Sequence, residues 1–309
     1  MKKNLLFSFV LCGLLGACSL WPAQKFTPPQ QEIVYQAIQD GMEEDRYATL
    51  VGFINLDGTK NTLVDVGFRA GLPVYSREMQ GLLFHVGRVN SVDIDPGATG
   101  GDMYFLTNQG KIKKCKIYAN WFVVPTSESN IAFVHSLEYS VKLQLIDITT
   151  CSVTKTLLER RDINAASLSQ SGKLVAFDAG YTFPDLTTAI YVMSIDEAIP
   201  QKIIDHGLRA SISPDDSQIA FVWDDGIYIS KIDGSDQIKI VPLSYTESRS
   251  EVTLFPFPQW SPDGRYLIYH KCNNSDCYRL RDFSMYKFDL ETWVESKIAD
   301  NGLFPTWIR

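Results

Sequence analysis

Six apolar anchors recur along the chain at nearly constant spacing, and this period constrains the fold more than any other feature. They are Tyr75, Val124, Leu168, Ile212, Trp260 and Trp307, separated by 49, 44, 44, 48 and 47 residues. After each of the first five comes a polar turn and then a short apolar stretch. Each stretch closes on an aromatic nine residues from its anchor: Phe84, Phe133, Phe177, Phe221 and Tyr269. The clearest copy is Trp260-Ser261-Pro262-Asp263-Gly264, followed by Tyr266-Leu267-Ile268-Tyr269. Ser, Pro and Gly at the first, second and fourth turn positions suit a type I turn between two strands. A fixed period in this range, with several short strands per unit, is the pattern of propeller blades.

Each unit has a second half. Ile227-Tyr228-Ile229-Ser230-Lys231-Ile232-Asp233-Gly234 alternates like a strand and ends in a turn. Stretches beginning at Met103, Leu143, Ile190 and Met285 fill the same slot, each followed by a further strand. The sixth unit stops after its first strand, at Trp307. Its missing half lies at the other end of the chain, where Val51-Gly52-Phe53-Ile54-Asn55-Leu56-Asp57-Gly58 matches the second-half pattern. The expected fold is therefore all-β: a six-bladed β-propeller over residues 32–309, with four-stranded antiparallel blades. Both termini build the last blade and so tie down chain ends that would otherwise fray.

The Trp-Ser-Pro-Asp-Gly turn, the strand after it and the Ile-Tyr…Asp-Gly second half resemble TolB-type propeller repeats, over roughly residues 45–309. The resemblance implies architecture. It does not carry a function, because such repeats occur in translocation scaffolds, in accessory domains of serine peptidases and in other exported proteins. The stretch before the repeats is also too short for the N-terminal α/β domain of TolB itself.

The N-terminus supplies an address. Lys2 and Lys3 precede an apolar run from Leu5 to Leu15, which is shorter than the roughly 20 residues a spanning helix needs. Residues 1–17 read as a secretory signal. Leu15-Gly16-Ala17-Cys18 resembles a bacterial lipobox, which implies cleavage before Cys18 and palmitate-type acylation of that residue. Two or three chains on one residue give stable anchoring. Ser19 in place of Asp permits sorting to the outer membrane, facing the periplasm, in a two-membraned cell. In a one-membraned cell the protein would sit on the outer face of the plasma membrane. Residues 18–31, rich in proline, form a tether whose Trp21 suits a lipid interface.

With Cys12 lost and Cys18 acylated, four cysteines remain for an oxidising compartment, which suggests two disulfides. Cys272 and Cys277 bracket a short turn and are expected to pair. Cys115 with Cys151 then follows by elimination. Zinc would need two close Cys/His pairs, and only one close pair exists.

Net charge is −7, which argues against nucleic acid as a partner. No nucleophile elbow, zinc-protease motif or phosphate loop is present, and His85, His135, His206 and His270 are scattered. No catalytic residue and no metal ligand is assigned. Asp215 occupies the turn slot of Asp263, where a carboxylate accepts local hydrogen bonds, and Asp224-Asp225 reads as a hairpin turn. An oxygen-rich stretch, Asp93, Asp95, Gly97 and Gly100-Gly101-Asp102, would be the place for calcium. The resulting expectation is a monomeric, non-catalytic, lipid-anchored binding or scaffold protein. Its partner would be a protein, peptide or glycan of the envelope. Two alternatives are a calcium-dependent propeller hydrolase or lactonase, marked by carboxylates from several blades converging on the axis, and an accessory or sensor subunit of an envelope transporter or peptidase.

Overall fold

The structure is a computed structural model that describes residues 29–38, 50–66, 70–87, 101–126, 130–137, 140–180, 188–243, 256–272 and 282–308. The described residues fold into strands, in four sheets of four and one sheet of seven. The chain's first strands are β1 (Ile33–Ala37), β2 (Leu50–Ile54) and β3 (Thr62–Asp65). The seven-stranded sheet holds β4 (Ala70–Ser76), β5 (Gly81–Gly87), β6 (Gly101–Thr107), β7 (Ile112–Pro125), β8 (Ile131–Leu137), β9 (Val141–Asp147) and β10 (Ser152–Arg160). The next sheet is β11 (Ile163–Leu168), β12 (Leu174–Ala179), β13 (Ala189–Ser194) and β14 (Gln201–Ile204). It is followed by β15 (Leu208–Ile212), β16 (Gln218–Trp223), β17 (Gly226–Lys231) and β18 (Ile238–Pro242). The last four-stranded meander is β19 (Gln259–Trp260), β20 (Tyr266–Cys272), β21 (Phe283–Asp289) and β22 (Val294–Asp300), after which comes β23 (Gly302–Trp307).

All pairings are antiparallel between sequence neighbours, with one exception: β23 pairs with β1, placing Trp307 opposite Ile33 and Gly302 opposite Ala37. The first and last described strands thus share one sheet, β23-β1-β2-β3. Contacts then run round a closed ring. β1 packs on β4, β7 on β11, β12 on β15, β15 on β19, and β20 on β23. This is an all-β, propeller-like arrangement.

The sheet of seven departs from the expectation of separate four-stranded blades. β7 is 14 residues long. Its first half pairs with β6 and its second half with β8, with a register break between Ala119 and Val123. The physical reason lies in the sequence. Lys116-Ile117-Tyr118-Ala119-Asn120-Trp121 contains no Gly or Pro to interrupt an extended backbone, so the ladder continues where a connection was expected.

Each turn is held by its own acidic or hydroxyl side chain. Asp263 accepts from Ser261 Oγ and the Arg265 amide. Asp215 accepts from Ser213 Oγ, the Ser217 amide and Ser217 Oγ. Asp57, Asp147 and Asp233 each accept from an amide and a hydroxyl two residues on. The recurring Asp is therefore an Asx-turn device. The hydrogen bonds hold these carboxyls below the usual range. The anchor tryptophans fasten neighbouring sheets: Trp260 Nε1 donates to Ser211 O at 3.1 Å, and Trp307 Nε1 to Gln259 O at 3.3 Å.

Deleting residues 304–309 removes most of β23 and the buried Trp307. Loss of one large buried aromatic costs about 3–5 kcal/mol, much of a typical domain's margin. The truncated chain should aggregate or melt far below the full chain in differential scanning calorimetry. Superimposable melting curves would show that β23 does not close the ring.

Candidate functional site

Polar side chains buried inside an apolar fold demand a reason, and the buried histidines and aspartate among the described residues share one repeated position. His85, His135, Asp178 and His270 lie at the same place on the second strand of four of the repeats. They stand opposite Met103, Leu143, Ile190 and Met285 on the third strand. Gln36 and Val222 fill the place in the two remaining repeats, opposite Val51 and Ile227. All six residues are buried.

His135 lies two residues after its closing aromatic Phe133, whereas Asp178 lies one after Phe177. The Thr126 amide donates to Ile131 O as the Ser169 amide does to Leu174 O, so Pro125 rather than Val124 matches Leu168. One extra residue hides the equivalence of His135 with Asp178.

Two of these side chains reach the neighbouring sheet. Asp178 Oδ1 accepts the Arg209 amide at 2.9 Å, and His270 Nδ1 accepts the Phe304 amide at 3.3 Å. Arg209 and Phe304 are themselves equivalent, three residues before the anchors Ile212 and Trp307. Both are β-bulge residues at positive φ, 57° and 49°. A bulge takes an amide out of its own ladder, and the side chain from the preceding sheet receives it. Leu72, with φ of 49°, repeats the bulge on β4. There His85 packs so closely on Gly71 that a Cβ at 71 would lie 2.4 Å from Nε2.

Burial and one charge set the electrostatics. Desolvation lowers His85 to about 4. It lowers His135 and His270 to about 3, with the Arg209 guanidinium adding to both. The Arg209 charge thus acts on rings from β8 and β20 while its backbone amide bonds to β12. Burial raises Asp178 to about 6, and Arg209 partly offsets the rise. At neutral pH the position carries three neutral imidazoles and one carboxylate facing a guanidinium.

Beside it runs a narrow cavity lined by Val74, Val124, Ala166, Leu168, Phe257, Gln259, Thr306 and Trp307, with room for little more than ordered water. Gln170 Nε2 crosses to Trp260 O at 3.0 Å. The apolar cluster around Leu72, Phe257, Phe283 and Phe304 fills the neighbouring volume. Asp178 is the one buried carboxylate among the described residues. No group of three or more His, Cys, Asp or Glu among the described residues is placed to hold a metal ion.

The residues singled out by sequence are dispersed. Cys115 on β7 and Cys151 in the β9–β10 turn form a disulfide, with Cα atoms 5.2 Å apart. Cys272 is also disulfide-bonded, and Cys277 lies outside the described residues. So do Cys18, Trp21, Asp93, Asp95, Gly97 and Gly100. Asp102 pairs with Lys114 at 2.6 Å, and Asp225 with Lys239 at 2.6 Å. Among the described residues no helix is long and apolar enough to cross a membrane.

The repeated position makes acid stability predictable. A histidine whose pKa falls on folding contributes stability that is full above about 6.5 and lost as pH drops toward 3–4. Asp178, raised on folding, acts oppositely: its contribution is full below about 3.8 and lost as pH rises through 6. Three histidines outweigh one aspartate, so stability should fall on acidification below pH 6.5. His270→Gln retains an acceptor for the Phe304 amide. In urea melts between pH 6.5 and 4 it should reduce the slope by up to about 1.4 kcal/mol per pH unit. An unchanged slope would mean that His270 is not buried neutral.

No protein-family model matches the sequence, and no curated protein matches it either. Solved structures do. TolB from Acinetobacter baumannii superimposes with a TM-score of 0.67 at 14% identity, over 90% of this chain. This chain spans 66% of the length of that TolB. A TolB homologue from Agrobacterium tumefaciens gives 0.61 at 15% identity, over 88% of this chain and 89% of its own. A chain of a nidogen/laminin complex gives 0.62 at 7% identity, over 90% of this chain and 98% of its own. At these identities the likeness establishes a TolB-like β-propeller fold and nothing about activity.

Proposed function

We propose that this chain is a lipid-anchored, non-catalytic binding or scaffold protein of the bacterial cell envelope, built on a six-bladed propeller. The observation that carries this reading is the use made of the buried polar position. Asp178 Oδ1 and His270 Nδ1 each accept a main-chain amide of the adjoining sheet, and the described cavity nearby has room for little more than ordered water. Recognition then falls to the loop-bearing faces, where propellers carry function. The TolB-like fold supports an envelope location, and a propeller in a nidogen/laminin complex supports protein as the class of partner.

The blade count follows if β7 serves twice, as the fourth strand of one blade and the first of the next. The sheet of seven then divides into two blades, and the four sheets of four supply the rest. Cys272 is assigned to Cys277 across their short bracket. Acylation of Cys18 places the domain at the periplasmic side of an outer membrane, or on the outer face of a single plasma membrane.

Metabolic labelling with a fatty-acid probe tests the anchor. Wild type should take up label and sediment with membranes, and Cys18→Ser should do neither. Affinity isolation of the acylated chain from solubilised envelope tests the scaffold role. One partner should be retained in stoichiometric amount, equally by wild type and by Asp178→Asn. Metal-stimulated ester or lactone hydrolysis that disappears in Asp178→Asn would establish the hydrolase alternative instead. Non-reducing peptide mapping should join Cys272 to Cys277; a free thiol at either would refute that pairing.

A further inference from the structure

Among the described residues, the exposed large apolar side chains are Leu63, Val153, Ile199, Ile238, Trp293 and Val294. Each lies at, or within two residues of, the start of an outermost strand: β3, β10, β14, β18 or β22. Scattered exposed apolar residues need no explanation. A set whose described members all fall at one repeat position does, because outermost strands begin at the same end of every antiparallel meander. These residues therefore trace the rim of a single face, the one that carries the Asx turns.

The chain enters at that face. β1 begins where β23 ends, with the Ile308 amide on Glu32 O. Gln31 is pinned there: its Nε2 donates to Lys60 O at 2.9 Å and to Thr62 Oγ1 at 3.1 Å, beside exposed Leu63. Arg77 Nη2 donates to Gln31 O at 3.1 Å. From Cys18 to Pro29 the chain can extend at most about 40 Å, and it starts from the turn side of the ring.

We infer that the turn face lies against a zwitterionic lipid surface, its apolar rim seated in the headgroup layer and the opposite face turned toward the partner. This rests on acylation of Cys18. Three features fit the occupant. Trp293, 53% exposed at φ of 59°, stands edge-on over Phe288, which leaves an indole presented at the rim; tryptophan favours the interface. Asp57, Asp147, Asp233 and Asp289 at the same turns each give one carboxylate oxygen to a turn amide. The overall negative charge disfavours an anionic bilayer.

The test places the acylated full chain on vesicles of phosphatidylcholine and phosphatidylethanolamine. A short hydroxyl-radical pulse is applied, with Cys18→Ser beside the same vesicles as the unanchored reference. Oxidation of Trp293, Leu63 and Ile199 should drop severalfold in the anchored chain. Trp223, at the far end of β16, should be oxidised equally in both. Protection of Trp223 with Trp293 fully reactive would reverse the orientation and overturn the inference, while the fatty-acid label on Cys18 would leave the anchor standing. Absence of that label would instead remove the anchor and this inference together. The double substitution Ile199→Asp with Trp293→Asp changes two exposed positions and, with only the edge contact to Phe288 lost, should lower the melting temperature by no more than a few degrees. It should abolish protection at Leu63 and Ile238; persistent protection there would show that the rim is not the contact.

Discussion

Main-chain hydrogen bonds between Ile33–Ala37 and Gly302–Trp307 are the joint on which the rest of this ring depends. Every other pairing between strands links sequence neighbours and can form locally. This one joins residues about 270 apart, so its loop-closure entropy must be met by contacts made elsewhere. Those contacts are the ones between sheets: the Trp260 and Trp307 indoles on neighbouring carbonyls, and the Thr306 hydroxyl on Pro73 O at 3.0 Å. Without the joint, two sheet edges would face water with their amides and carbonyls unpaired.

A second constraint operates near the axis. The inner strands are bulged, and a bulge leaves an amide that the sheet's own ladder does not satisfy. Asp178 and His270 show the remedy, a polar side chain supplied by the preceding sheet. The remedy is costly in its own way, because desolvation pushes the imidazoles toward neutrality and the carboxyl toward protonation. Perturbed titration often marks a reactive site. In this ring Asp178 and His270 also have a structural duty, each accepting a main-chain amide of the adjoining sheet.

Much of the fold was legible because turn chemistry is local. Ser261-Pro262-Asp263-Gly264 specifies its own conformation, and near-equal spacing of such turns implies stacked sheets. The second-half pattern at Val51–Gly58 located the strand that completes the last unit. Two features were not legible. The merger along β7 depends on an interruption that is missing, and a missing Gly or Pro leaves no mark in a pattern search. The buried polar position depends on convergence. His85, Asp178 and His270 each look like a single polar residue in an apolar strand, and only the closed ring brings them into one layer. A signal did exist one residue after the closing aromatic, but the extra residue near Pro125 displaced His135 from it. Arg209, which influences two of the histidines, sits in a stretch with no distinguishing composition.

The continuous strand Ile112–Pro125 makes the ring mechanically uneven. Elsewhere adjoining sheets meet through side chains and isolated hydrogen bonds, so they can part by repacking. The two repeats on either side of β7 share one backbone ladder, and the Cys115–Cys151 bond ties the first half of that strand to the β9–β10 turn beyond it. Separating them requires breaking a strand rather than opening a seam. Breathing of the ring is therefore expected at the other junctions, with strands β4 to β10 opening together as one cooperative block.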